Sequence, residues 1–189
     1  MTTIIILAAG SSSRLGTPKQ NLVYQGKTLL QRAVQAGLDS TCNTVIVVLG
    51  ANADSIRPTI KDSRVRIIYN QDWEEGMASS IRISISQIQL LEPKTTSVIL
   101  MLCDQPFVDA SLLDQLIQKK SLKGIVASSY NGITGAPVLF DAAYFDELLL
   151  LKGQEGAKKL LLKYPEDIDT VSFPLGSIDI DTIEDYEKL

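Results

Sequence analysis

The 189-residue chain contains no histidine. That absence excludes a Ser-His-Asp triad, a Cys-His pair, an imidazole metal ligand and an imidazole general base near neutral pH. Its chemistry has to run on carboxylates, lysine, arginine, hydroxyls, backbone amides or a bound metal. Positive charge is also short, with 18 Lys and Arg against 22 Asp and Glu and a formal net charge of -4. That balance argues against nucleic acid or a membrane surface as a partner, although a local basic patch still suits a phosphate. Only two cysteines occur, Cys42 and Cys103, far apart in a chain without a signal-peptide pattern. The expectation is a reduced, soluble, cytoplasmic protein. No apolar run is long enough to cross a membrane: Thr3 to Ala9 is too short and runs into glycine and serines.

What is present is an alternation of short and long apolar patterns. At roughly 150 residues per domain the length predicts one domain, 1–189, and the 45% apolar share supplies a sizeable core. Thr3 to Ala8, Thr44 to Leu49, Val65 to Tyr69, Ser97 to Leu102 and Gly124 to Ser129 read as strands. Most are rich in β-branched residues and apolar without a break, as in a sheet covered on both faces. Helices are expected over Leu29 to Gly37, Ser55 to Ile60, Met77 to Leu91 and Ala110 to Lys120. The rhythm then changes, with a strand over Ala136 to Phe140, helices over Asp141 to Leu151 and Glu155 to Tyr164, a strand over Ile168 to Phe173 and a short closing helix. The prediction is an α/β fold with a mostly parallel sheet, joined by right-handed crossovers.

Ligands of such sheets sit at the carboxyl ends of the strands, and three segments there carry chemistry. The first is the loop Leu7-Ala8-Ala9-Gly10-Ser11-Ser12-Ser13-Arg14-Leu15-Gly16-Thr17-Pro18-Lys19-Gln20. Its glycines and small residues expose amides and hydroxyls to an anion, and Arg14 and Lys19 add charges that grip phosphates. It is neither a Walker A motif nor GxGxxG, and composition alone is equally compatible with an ordinary Gly/Ser turn. The second is Cys103-Asp104-Gln105-Pro106. A carboxylate at a strand end opposite a cationic loop is a natural Mg²⁺ ligand for a triphosphate, and Asp109 and Ser111 are nearer the next helix for capping. Cys103 faces away from Asp104 and reads as a small buried residue rather than a nucleophile. The third is Asp179-Ile180-Asp181-Thr182-Ile183-Glu184-Asp185-Tyr186. Asp179 and Asp181 share a face if extended, and either could complete a two-carboxylate site; Thr182 with Asp185 reads as a capping box, the simpler reading of the segment by itself.

The series LAAGSSSRLGTPKQ, CDQP and DIDTIEDY resembles the molybdenum cofactor nucleotidylyltransferases, and within them the cytidylyltransferase (MocA-type) branch. Two middle segments extend the resemblance: Asn70 to Ser80, with its NxxWxxGM pattern, and Gly135 to Phe140 followed by Gly153 to Ala157. The resemblance spans nearly the whole chain. It implies a Rossmann-like, three-layer nucleotidyltransferase fold with helices on both faces of a mixed sheet holding one antiparallel strand. It implies a nucleoside triphosphate, CTP with GTP as the alternative, bound with Mg²⁺ over the glycine-rich loop. The implied acceptor is the phosphate of molybdopterin, and the implied partners are client molybdoenzymes of the xanthine dehydrogenase type. By position, Leu7, Ala8, Ala9 and Gly10 belong to the nucleotide site, the last three near base and ribose. Arg14 and Lys19 contact the phosphates, and Asp104 joins them as a catalytic residue and Mg²⁺ ligand. Asp181 is the second metal ligand, with Asp179 as the alternative. Asn70, Gly76, Met77 and Ser80 hold the nucleotide or the acceptor, although Met77 also reads as core and Gly76 as a turn residue. Two departures stand out: Gln154 replaces a common Asp and is assigned no charge-based role, and Ile183 replaces a common Pro at the last helix.

The implied reaction is in-line attack of the acceptor phosphate on the α-phosphorus, with pyrophosphate leaving. A phosphate monoester with a second pKa of about 6 is already mostly anionic at neutral pH, so the missing histidine costs this reaction nothing. The alternatives are a guanylyl or sugar-phosphate transferase and a non-catalytic nucleotide- and cofactor-binding chaperone for molybdoenzymes. A dinucleotide-dependent reductase lacks GxGxxG and an evident proton donor.

Overall fold

A computed structural model describes residues 1–12, 15–120 and 123–189. Its centre is the strand β1 (Thr2–Ala8), whose residues from Ile4 to Ile6 are fully buried. The ribbon β2 (Val23–Tyr24) and β3 (Lys27–Thr28) leads into α1 (Leu29–Asp39), which Thr28 and Gln31 start with a capping box. There follow β4 (Thr44–Leu49), the short α2 (Ala53–Ile56), β5 (Val65–Tyr69), α3 (Met77–Leu91), β6 (Ser97–Leu102) and α4 (Ala110–Gln118). The second half holds β7 (Ile125–Tyr130), β8 (Ile133–Asp141), α5 (Phe145–Leu149), α6 (Ala157–Lys163), β9 (Ile168–Ser172) and α7 (Ile183–Glu187).

Seven strands form one sheet in the order β5-β4-β1-β6-β8-β7-β9. β8 runs antiparallel to both of its neighbours, and the other pairings are parallel. Alternation along the strands divides the core. Ile4, Ile6, Val47 and Met101 face α1 and α4, meeting Leu30, Val34, Leu113 and Leu116. Ile5, Val48, Leu100 and Phe140 face the opposite layer, meeting Ile81 and Ile85 of α3 and Leu148 of α5. The central strands are apolar along their length because both faces are covered. Among the described residues no helix is long and apolar enough to cross a membrane.

The expected strands and helices of the first half form within a few residues of their predicted bounds. The helix expected from Ser55 instead starts at Ala53, ends at Ile56 and tightens into a 3₁₀ turn over Arg57–Thr59, since Pro58 cannot donate a backbone hydrogen bond. The larger difference lies after Tyr130. An Asn131-Gly132 turn, both residues at positive φ, folds β7 back into β8, so the strand begins at Ile133 and runs through Asp141, where a helix was expected. The ladder skips between Ala127 and Ser128, which pair with Val138 and Gly135. Ala136 and Pro137 therefore fall in the irregularity, where the missing N–H of proline is tolerated. That irregularity turns the Ala136 carbonyl toward the end of β6, where it accepts from Gln105 Nε2 at 3.1 Å.

Candidate active site

The carboxyl ends of β1 and β6 are neighbours, with Leu7 opposite Leu102, so the residues that follow them share one opening. The loop after β1 is pinned by a side chain. Gln20, 1% exposed, donates through Nε2 to the carbonyls of Ala8 at 2.9 Å and Gly10 at 3.2 Å. Ser12 Oγ accepts from Lys19 N at 3.0 Å and donates to Gln20 Oε1 at 3.4 Å. Gly50 permits the loop to lie against the next strand: a Cβ there would stand 2.7 Å from the Ala9 carbonyl and from Trp73 Cβ. Arg14 lies outside the described residues.

Lys19 opens a 3₁₀ turn, Lys19–Asn21, and reaches across the opening. Its ammonium donates to Asp104 Oδ2 at 2.5 Å and to Asp181 Oδ1 at 3.0 Å. Burial works against the charged lysine, but the Asp104 charge and hydrogen bond outweigh it, with Asp181 adding to them, and the Lys19 pKa stays above the ordinary range. Asp104 is 7% exposed, and its other oxygen, Oδ1, is buried without a hydrogen-bond partner among the described residues. It is not used as a cap, because Asp109 takes the Leu112 amide at the start of α4. Cys103 points into the core on the other face, and burial, with the Asp104 charge, pushes its thiol up to about 12.

The C-terminal segment reaches the same place because buried Ile180 donates its amide to the Asp104 carbonyl at 3.1 Å. Asp185 closes the Thr182 capping box, as expected, and α7 forms without a proline at its first position. Asp181 Oδ1 turns to Lys19. Asp179 stays apart from that ion pair and lines a neighbouring cavity. Burial and then the charges of Asp104 and Asp181 raise its pKa.

Lys19 and Asp104 line a cavity of about 370 Å³. Leu7, Ala8, Ala9 and Gly10 form one wall, with Lys19 and Asp104 at the end of that wall. Gly76, Met77 and Ser80, at the start of α3, form the facing wall. Gly76 has φ 120 and ψ -171, and a Cβ would stand 2.4 Å from the Gly153 carbonyl, so only glycine fits. Met77 is 36% exposed and lines the cavity rather than the core. Asn70 does not reach the wall. It is buried behind it, donating to Ser79 Oγ at 2.8 Å and Ser80 Oγ at 3.0 Å. Trp73, Gln20 and Gln154 also line the cavity and were not among the expected site residues. Trp73 and Gln20 lay inside the motifs, and Gln154 was noticed only as a departure; an amide carries no pattern of its own.

A second cavity of about 510 Å³ adjoins the first and shares Leu7, Met77, Leu102 and Gln154 with it. The β7–β8 hairpin supplies Tyr130, Ile133 and Ala136 to its wall, and Lys158 and Asp179 bring charge of either sign. Among the described residues no three His, Cys, Asp or Glu side chains are grouped to hold a metal. The orphaned Asp104 oxygen and the convergence of Asp104 with Asp181 do fit Mg²⁺, a hard cation that takes one or two carboxylates and fills its sphere with phosphate oxygens and water.

Residues 4–168 match the family model of the MobA-like NTP transferase domain. The chain belongs to that family. This MobA-like transferase is 29% identical to the nicotine blue oxidoreductase of Paenarthrobacter nicotinovorans, over 99% of its own length and 95% of that protein. It is 25% identical to the molybdenum cofactor cytidylyltransferase of Escherichia coli K12, over 96% and 92% of the two chains. The crystal structure of Rv0371c from Mycobacterium tuberculosis H37Rv superposes with a TM-score of 0.87 at 30% identity, covering 99% of this chain and 95% of that one. A second Rv0371c structure, in complex with manganese, superposes at 0.82 with 27% identity, covering 100% and 97%. The mixed, mostly parallel sheet with helices on both faces is thus the nucleotidyltransferase fold of its structural neighbours, as the motifs implied.

Proposed function

We propose that this MobA-like nucleotidyltransferase transfers CMP from CTP to the terminal phosphate of molybdopterin and releases pyrophosphate. The observation that carries the reading is the Lys19 ammonium held between Asp104 and Asp181, with Lys19 and Asp104 lining the same cavity as the glycine-rich loop. CTP would lie in the first cavity, its base and ribose along Ala8, Ala9 and Gly10 and across from Gly76, Met77 and Ser80. The acceptor would enter from the second cavity. Asp104 and Asp181 would hold Mg²⁺, which when bound neutralises triphosphate charge and that of the departing pyrophosphate.

The chain's own residues supply alignment and electrostatics. Lys19 leaves its carboxylates for the α-phosphate, where its fixed charge stabilises the negative charge that builds up in transfer. Arg14 is proposed as a second phosphate contact. Leu7, Met77 and Leu102 line the passage between the cavities and keep water from competing with the acceptor. The attacking phosphate is already anionic, so a chain without histidine meets the requirement.

The preference for CTP rests on the similarity to the Escherichia coli cytidylyltransferase. The molybdopterin product would pass to client molybdoenzymes of the xanthine dehydrogenase type, in the cytoplasm. Pyrophosphate release measured with Mg²⁺, CTP and molybdopterin tests the reading. The expected result is release that needs all three and that GTP does not support. GTP-supported release indicates the guanylyltransferase instead, and binding of both substrates without release indicates a carrier.

The similarity to an oxidoreductase is the ground for a second reading, a dinucleotide-dependent reductase. The loop after β1 offers no GxGxxG turn to a dinucleotide. Thermal shifts with CTP and Mg²⁺ against NADH and NADPH separate the two, since a ligand selective for the folded state raises its melting temperature.

A further inference from the structure

Four residues line both cavities: Leu7, Met77, Leu102 and Gln154. Three of these side chains are apolar, which leaves Gln154 to bring hydrogen-bonding groups to the shared boundary. Its side chain is exposed, and among the described residues its amide has no hydrogen-bond partner. The backbone that carries it, by contrast, is fixed. The Gly153 carbonyl accepts from Ala78 N at 3.0 Å, Gly153 N donates to Glu75 Oε1 at 3.5 Å, and Arg82 joins Glu75 to the Leu151 carbonyl at 2.8 Å. Gln154 Nε2 lies over Gly76, 2.8 Å from where a Cβ would be, so the missing side chain of Gly76 gives the amide its place. An unpaired polar group on an anchored loop is poised for a ligand that both cavities share.

We propose that Gln154 hydrogen-bonds the acceptor's phosphate where it meets the nucleotide, and so sets the line of attack. The inference rests on the transferase reading above. In the step, an acceptor phosphate oxygen forms a bond to the α-phosphorus while the bond from that phosphorus to the bridging oxygen breaks, and the electron pair leaves with pyrophosphate. Gln154 neither gives nor takes a proton. It donates Nε2–H to a non-bridging oxygen of the incoming phosphate, which otherwise passes three apolar side chains.

The test compares Gln154→Met and the wild type in pyrophosphate release with Mg²⁺, CTP and molybdopterin. Methionine keeps the length and loses the hydrogen bond, and the exposed position leaves the fold unchanged. Expected for Gln154→Met is a loss of about tenfold in kcat/KM for molybdopterin, the scale of one hydrogen bond to an anion. The CTP-induced thermal shift should be unchanged. Wild-type turnover in Gln154→Met overturns the inference, as does a loss confined to the KM for CTP. A wild-type enzyme without turnover overturns the transferase reading itself, which distinguishes the two failures.

Discussion

Lys19 and Asp104, 85 residues apart in the chain, form an ion pair of 2.5 Å at the floor of the nucleotide-sized cavity. Asp181, 162 residues from Lys19, closes on the same ammonium at 3.0 Å. Two carboxylates converging on one cation repel each other when that cation is lost, and Asp104 is buried enough to feel it. Lys19→Met should therefore lower the melting temperature by about 3–6 °C without divalent metal, corresponding to about 1.5 kcal/mol after allowing for the half-exposed Asp181. Mg²⁺ should restore more stability to this variant than to the wild type. Turnover should fall by about a hundredfold or more in both Lys19→Met and Asp104→Ala. Equal Mg²⁺ responses in variant and wild type would remove the metal assignment.

The two C-terminal aspartates should separate by ligand. Asp181 meets Lys19, whereas Asp179 lines the second cavity. Asp181→Asn is expected to weaken Mg²⁺-dependent CTP binding by about tenfold, the scale of disturbing one metal-site contact. Asp179→Asn should leave that affinity nearly intact and change the KM for the acceptor. Calorimetric titration with CTP and Mg²⁺ reads the first, and initial rates against molybdopterin the second. A reversed pattern would assign the metal to Asp179.

Much of this arrangement was legible in the sequence, for identifiable reasons. Strands such as Thr44–Leu49 announce themselves because a sheet covered on both faces needs unbroken apolar segments. Asp104 was recognisable because a carboxylate directly after an apolar strand is well placed for a ligand, whereas Asp181 was reached through the family resemblance, its segment reading by itself as a helix cap. Their contacts with Lys19 were not legible, since they depend on β1 and β6 being neighbours and on Ile180 docking beside Asp104. The contacts of Asn70 with Ser79 and Ser80 were not legible either, because they depend on how the end of β5 packs against the start of α3. Both strands of the β7–β8 hairpin were expected, but β8 starts three residues earlier than read, at Ile133, because the Asn131-Gly132 turn joins it directly to β7.

Gln20 makes a prediction that the motif alone would not. Its buried amide nitrogen serves the carbonyls of Ala8 and Gly10 and so sets the curvature of the glycine-rich loop. Gln20→Glu replaces that donor by an acceptor facing two carbonyls and places a charge in a 1% exposed position. It should destabilise the protein by about 3 kcal/mol in urea unfolding, more than Gln20→Ala at about 1–2 kcal/mol. Both should weaken CTP binding. A glutamate variant as stable as the wild type would show that the loop holds its shape by other means.

Cys103 stands one residue from Asp104 yet should be chemically silent. Burial and the neighbouring carboxylate push its thiol up to about 12, so at pH 8 only about one molecule in ten thousand carries the reactive thiolate. The half-buried Cys42 is shifted in the same direction, again chiefly by burial. Neither thiol should react rapidly with a disulfide reagent in the native protein, and both should titrate once it is unfolded. Fast native labelling of Cys103, located by mass spectrometry, would mean that the floor of the site opens to the core side.

Gly76 is where the two walls of the site lean on each other. Its φ of 120 with ψ of -171 belongs to a region that side chains avoid, and a Cβ would press into the Gly153 carbonyl at 2.4 Å. The same carbonyl accepts from Ala78 at the start of α3, so a displaced loop also loosens the helix end that faces the glycine-rich loop. Gly76→Ala should cost at least about 2 kcal/mol, or about 4–8 °C in melting temperature. The contrast with Gly10 makes the test specific. A Cβ on Gly10 meets nothing within 4 Å and its φ is not strained, so Gly10→Ala should leave stability nearly unchanged and affect only ligand approach. Equal melting temperatures for the two variants would show that the backbone at Gly76 relaxes readily and that the junction of the cavities is not built on it.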